Sequence, residues 1–181
     1  MSAVKPKPIL RQKHFEITLL RLCHQLIENH TDFSSSAIVG LQPRGVFLAR
    51  RLHAMLEKIL KHKIPYGDLD FTFFRDDFRS HDSPLIPSAT DIEFEVENKK
   101  IILVDDVLYT GRTVRSAMDA LMQLGRPEKI ELLVFINRRF SRHLPVEANY
   151  VGKDVDTIDS QKVRVEWKET DGEDIVWLLE K

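Results

Sequence analysis

The residues best suited to chemistry stand together in Ile101-Ile102-Leu103-Val104-Asp105-Asp106-Val107-Leu108-Tyr109-Thr110-Gly111-Arg112-Thr113. Two adjacent carboxylates precede a short turn of hydroxyl and glycine residues, which opens into the helical spacing of Val114, Ala117, Met118 and Leu121. A helix start presents unpaired backbone N–H groups and the positive end of its dipole. Gly111 admits a ligand close to the backbone, and Thr110 and Thr113 add hydroxyl donors, so the turn suits a phosphate. The carboxylates repel such an anion and must face something else: ribose hydroxyls, a metal ion, or positive charge that develops during a reaction. Neither G-x-G-x-x-G nor G-K-[ST] is present, which removes the two commonest phosphate loops. An acid pair alone is often a helix cap and a solvated turn residue. The whole run is far more specific.

The elements that would position this run can be read from hydrophobic periodicity. Residues 101–104 are four consecutive aliphatics, the pattern of a strand buried on both faces. Residues 37–41 and 130–136 read the same way, and 149–153 reads as a further short strand. Phe15, Leu19, Leu22, Cys23 and Leu26 recur at helical spacing over 14–29, and Val46, Ala49, Leu52, Leu56 and Leu60 trace another helix. Residues 68–73 alternate as a strand, and 92–96 as an edge strand. Val163, Val165 and Trp167, then Asp171-Gly172, then Ile175, Trp177 and Leu179 predict a hairpin. Buried strands separated by helices give an α/β class, an open parallel sheet flanked by helices with right-handed crossovers.

Composition bounds the rest. With 181 residues and 43% hydrophobic content, the chain is long enough for one domain with a full core, expected over residues 1–181. The first eight residues, rich in Pro and Lys, read as a loose arm, and residues 78–91, irregular and polar, as an active-site flap. A formal charge of −1 announces no global nucleic-acid field. The single cysteine, Cys23, has no disulfide partner in the chain and lies on the apolar side of its helix. Apolar runs are too short for a membrane span and no signal peptide is visible, so a cytoplasmic protein with no membrane association is expected.

In an open α/β sheet, ligands collect outside the carboxyl ends of the strands. Three loops lie there: residues 42–45, residues 74–79, and the run that opened this section. The first two bring Arg44, Arg75 and Arg79, and the third the acids and the phosphate cradle. A ligand with two anionic ends and a hydroxylated middle fits, which is the layout of 5-phosphoribosyl 1-diphosphate (PRPP). The chemistry would be displacement at the anomeric carbon, with cationic character on the sugar next to Asp105 and Asp106 and with Arg75 as a further catalytic candidate.

The run of apolar strand, two acids, spacer, Thr-Gly-x-Thr resembles the PRPP-binding motif of type I phosphoribosyltransferases. Gly40-Leu41-Gln42-Pro43-Arg44-Gly45, Phe74-Arg75-Asp76-Asp77, Gly125-Arg126-Pro127 and Tyr150-Val151-Gly152-Lys153, in that order, resemble the PyrR family across nearly the whole chain. Members of that family are uracil phosphoribosyltransferases that in some bacteria also bind pyrimidine-operon mRNA and attenuate transcription. The resemblance implies a type I phosphoribosyltransferase fold with a small C-terminal hood, a homodimer or homotetramer, Mg²⁺ dependence, and conversion of uracil and PRPP to UMP and diphosphate. Pro43, Arg44 and Gly45 would form the diphosphate loop. Asp105 and Asp106 would take the ribose and the metal, the latter through PRPP or water. Leu108, Tyr109, Thr110, Gly111, Arg112 and Thr113 would hold the 5′-phosphate. Tyr109 stands where the 6-oxopurine enzymes carry an acid, which favours a pyrimidine base. An RNA face, binding an mRNA leader, would use Arg21, His24, Arg142 and Lys153. The chain departs from the pattern at Leu20, where a polar hydroxyl residue is expected, and at Glu147, where an arginine is expected. Two other readings stay open: a UMP-sensing RNA-binding regulator with vestigial transferase activity, and a transferase for another nucleobase.

Overall fold

The computed structural model describes residues 6–76, 87–158 and 160–180. The chain runs through strand β1 (Lys7–Leu10), helix α1 (Gln12–His30), β2 (Ser36–Leu41), α2 (Gly45–Leu60) and β3 (Tyr66–Leu69). A 3-10 turn at Thr72–Phe74 leads to β4 (Asp91–Ile92), β5 (Lys100–Leu108), α3 (Arg112–Met122), β6 (Lys129–Arg139) and β7 (Tyr150–Asp156). β8 (Gln161–Glu166), α4 (Lys168–Asp171) and β9 (Ile175–Glu180) complete it.

The apolar runs become the interior of a sheet in the order β4-β3-β2-β5-β6-β7. All neighbours in it are parallel except β3 and β4. β5 lies between β2 and β6, with Ala37 opposite Ile101 and Leu103 opposite Leu132. Its side chains alternate between two cores. Ile102 and Val104 pack with Phe15, Leu22, Leu48 and Leu52 from α1 and α2. Ile101 and Leu103 pack with Val114, Ala117 and Leu121 from α3. Helices on both faces explain why this strand carries no polar residue between Lys100 and Asp105.

A second sheet, in the order β1-β9-β8, is antiparallel throughout and forms a hood. It joins the first core through Trp167, which is fully buried against Phe15 at 5.2 Å and Phe135 at 5.9 Å between ring centroids. The expected hairpin is therefore present as β8 and β9, with the four-residue α4 between them.

Several sequence expectations are corrected. The loose arm over residues 1–8 stops short of its end, because Lys7 and Pro8 pair with Leu178 and Trp177 in the hood; residues 1–5 lie outside the described residues. The alternating strand expected over 68–73 is instead β3 from Tyr66, and it ends at Leu69. The cause is Asp70, whose Oδ1 accepts the backbone N–H of Thr72 at 2.8 Å and turns the chain into the 3-10 turn. The edge strand expected over 92–96 is only Asp91–Ile92, while Val96 turns into the second core. The flap over 78–91 falls mostly outside the described residues, as does Arg79. Its end is tied down: Ser88 N–H donates to Asp70 Oδ2 and Gln42 Nε2 to Ala89 O.

Candidate active site

Asp105 and Asp106 end the buried part of β5, where the strand meets the N-terminus of α2. Gly45, the first residue of α2, is what permits the approach. A Cβ there would lie 2.4 Å from Val104 O and 3.1 Å from Asp105 Oδ1, so no larger residue fits without pushing the helix off the strand. Asp105 is buried and accepts the N–H of Asp106 at 2.9 Å. Burial first, and then the adjacent Asp106 charge, hold its carboxyl well above the usual range. Burial raises Asp106 too, against the pull of Arg44, whose Nε lies 3.5 Å from Asp106 Oδ2.

Arg44 also reaches the hood. Its Nη2 donates to Asp171 Oδ2 at 3.1 Å and to Val165 O, so one guanidinium joins the end of β5 to β8 and α4. The Trp167 N–H, with Arg44 assisting, holds the Asp171 carboxyl down at about 2. A cleft of about 380 Å³ lies here, lined by Arg44, Asp106 and the hood residues Lys162 and Arg164.

Past the acids, Gly111 adopts φ +90°, a region that favours glycine, and caps α3. Thr110, Arg112, Thr113 and Ser116 line a second cleft with Arg75 and Asp76. Arg112 pairs with Asp76. A third cleft is lined by Gln42, Pro43, Asp70, Thr72 and again Arg75, which thus stands where the second and third adjoin. The loops after β2, β3 and β5 come together as the carboxyl-end rule requires.

Residues 7–170 match the family described as Phosphoribosyl transferase domain. The Bifunctional protein PyrR of Desulfosudis oleivorans is 43% identical over 176 residues, 97% of this chain and 97% of that protein. Its namesake from Bacillus subtilis is 42% identical over 175 residues, covering 95% of this chain and 96% of that one. The chain belongs to the PyrR family. Among solved structures, a hypoxanthine phosphoribosyltransferase of Trypanosoma cruzi superposes with a TM-score of 0.69 at 14% identity, over 97% of both chains. Another from Staphylococcus aureus gives 0.65 at 19% identity, over 97% of this chain and 92% of that one. At such identity the likeness is one of fold, the type I phosphoribosyltransferase fold expected from the motif.

Within this PyrR-family chain, the structure places Pro43, Arg44, Gly45, Arg75, Asp105, Asp106, Thr110, Arg112 and Thr113 at or beside three clefts on the strand ends. Tyr109 turns to the side, its ring covered by the guanidinium of Arg138 at 3.8 Å. Of the four residues assigned to an RNA face, three stand on α1 and β7. Arg21 donates to Val151 O at 3.1 Å and to Gly152 O, tying α1 to β7, and His24 and Lys153 are exposed on those two elements. Arg142 lies after β6, its guanidinium engaged with the carbonyls of residues 108, 109, 138 and 146 and with Asn137, which in turn donates to Asp154 beside Lys153. Sequence reading missed Arg138, Lys162, Arg164 and Asp171. The first stands at a strand's carboxyl end and would have emerged from applying the same rule to β6. Lys162 and Arg164 alternate with Val163 and Val165, so their outward direction was readable from period two.

Proposed function

We propose that this chain transfers the 5-phosphoribosyl group of PRPP to uracil, releasing diphosphate and forming UMP, with Mg²⁺ as cofactor. The observation that supports the reading most is the placing of an acid pair, a helix-capped hydroxyl loop and Arg44 at clefts on the strand ends. The 5′-phosphate takes the N-terminus of α3, with Thr110 and Thr113 donating from their hydroxyls. The diphosphate lies toward Pro43, Arg44 and Gly45, where a planar guanidinium grips it bidentately. The bond from the anomeric carbon to diphosphate breaks as the bond to uracil N1 forms, and the N1 proton is lost. Positive charge that develops on the sugar faces Asp105 and Asp106, fixed charges at the buried end of the strand.

The acid pair fits a divalent cation only as a partial ligand set. Among the described residues no group of three or more His, Cys, Asp or Glu side chains converges, so most oxygens would come from PRPP and water. Carboxyls raised by burial are stabilised in their charged form by a nearby cation, which agrees with that role. When bound, Mg²⁺ neutralises charge on the diphosphate leaving group. The base lies beneath the hood, in the cleft that Lys162 and Arg164 border. Diphosphate release with PRPP, Mg²⁺ and each of uracil, hypoxanthine, guanine, xanthine and adenine tests the assignment. Uracil should be the preferred acceptor, and release with none of the five bases would end the transferase reading.

A second activity, binding of an mRNA leader, is favoured by the name Bifunctional protein PyrR carried by relatives matched along nearly their whole length. Exposed His24 and Lys153 sit on adjacent elements, while Leu20, 45% exposed, and Glu147 are unsuited to phosphate contacts. Filter binding of leader RNA with and without UMP at two salt concentrations tests it. Binding that is neither strengthened by UMP nor weakened by salt would remove it.

A further inference from the structure

The segment after β6 is built as a backing for the loop at residues 108–113. His143 and Leu144 both donate their backbone N–H to Thr110 O, at 3.0 and 3.1 Å. The position a Gly111 Cβ would take lies 3.2 Å from Val146. Behind the loop sits Arg142, half-buried. Its Nη1 donates to Tyr109 O, to Arg138 O at 3.0 Å and, more weakly, to Leu108 O at 3.3 Å. Its Nε donates to Val146 O at 3.1 Å, and Nη2 to Asn137 Oδ1.

Every acceptor in that set is neutral. Four are backbone carbonyls and one is a side-chain amide, and no carboxylate is among them. A partly desolvated guanidinium with no counter-ion among the described residues is an expensive arrangement for stability alone. It has a purpose if an anion completes it from the other side of the loop. Carbonyls of the loop turned toward Arg142 leave its amide hydrogens for the ligand, and the cation's field reaches a dianionic phosphate across a single layer of backbone.

We infer that Arg142 is a positioning residue for the phosphate of the ribosyl substrate, fixing the 108–113 loop from behind and supplying positive charge there without touching the ligand. The inference deepens the transferase reading by rooting the phosphate site in the β6–β7 connection.

The test uses ribose 5-phosphate, which needs neither base nor leaving group, titrated calorimetrically into the full-length chain and its variants. Steady-state kinetics with PRPP and uracil run alongside. Arg142→Gln should weaken ribose 5-phosphate binding and raise KM for PRPP by about 10- to 100-fold, the range expected for losing a charge-assisted network. The KM for uracil should move less than about 3-fold, a split that general loosening of the fold would not produce. Arg142→Lys keeps the charge but cannot reach all five acceptors, so it should restore part of the lost affinity. A folded Arg142→Gln chain with wild-type affinity for ribose 5-phosphate overturns the inference. If that variant does not fold, unchanged affinity in Arg142→Lys overturns it equally, as does a wild-type chain that fails to bind ribose 5-phosphate. A wild-type chain that binds ribose 5-phosphate yet releases no diphosphate with any base removes the transferase reading and leaves this test standing.

Discussion

Burial and the neighbouring Asp106 charge raise the Asp105 carboxyl, and a group raised in the folded chain contributes stability that is fully present at low pH and lost as pH rises through its folded value. Ionising Asp105 thus works against the fold. Asp105→Asn should stabilise the chain by about 1–2 kcal/mol near pH 8, with the advantage over wild type shrinking toward pH 4, as read by urea melts. The same variant should lower diphosphate release by about 100-fold or more. Asp105, Asp106, Gly111 and the threonines were legible in the sequence because their chemistry is contiguous: a strand end, a turn and a helix start adjoin in the chain. Arg138 and Asp171 were not. Their meaning depends on reaching Tyr109 and Arg44, and side-chain direction over such distances is set by the tertiary fold. Arg142 was found in the sequence as an RNA-face candidate, but its contacts with the 108–113 loop were hidden for the same reason.

At the scale of elements, α1 ends in a polar clasp that the sequence could not announce. His30 Nε2 lies 2.9 Å from Glu131 Oε2 and 3.1 Å from Tyr150 OH, and its Nδ1 is 2.8 Å from Ser36 Oγ. One buried cluster thereby fastens α1 to β2, β6 and β7. Lys129 completes it, 2.5 Å from Glu131 Oε1. Glu131→Ala would leave His30 and Tyr150 without their shared acceptor and should cost about 2–4 kcal/mol in a denaturant titration. Burial holds His30 below its ordinary 6.5, so the unfolded chain takes up its proton first. Clasp stability is therefore complete above about pH 6.5 and is lost as pH falls toward the lower folded value. Replacing His30 by Leu should flatten that part of the stability–pH curve. Strands β2, β5 and β6 were readable because burial on both faces leaves continuous apolar runs. β1 was hidden: a Pro- and Lys-bearing edge strand has no period of its own, and only pairing with β9 defines it.

The whole molecule divides its labour between two sheets, the larger presenting the acids and the 108–113 loop, the smaller standing over them as a hood. Trp167 fastens the two, meeting Phe15 of α1, Phe47 of α2 and Phe135 of β6, with Arg51 5.1 Å over its ring. Trp167→Ala should lose about 3–5 kcal/mol of stability. Because it loosens the hood rather than the loop, it should raise KM for uracil more than KM for PRPP, which paired titrations of the two substrates would measure. The hood's make-up also carries a consequence for biosynthesis. β1 lies at Lys7–Leu10, and among the described residues its sheet partner is β9, at Ile175–Glu180. On the ribosome the earliest strand must therefore remain unmatched while the acid pair, the phosphate loop and the larger sheet emerge. Translation thus delivers the acids and the 108–113 loop before the hood above them can be completed.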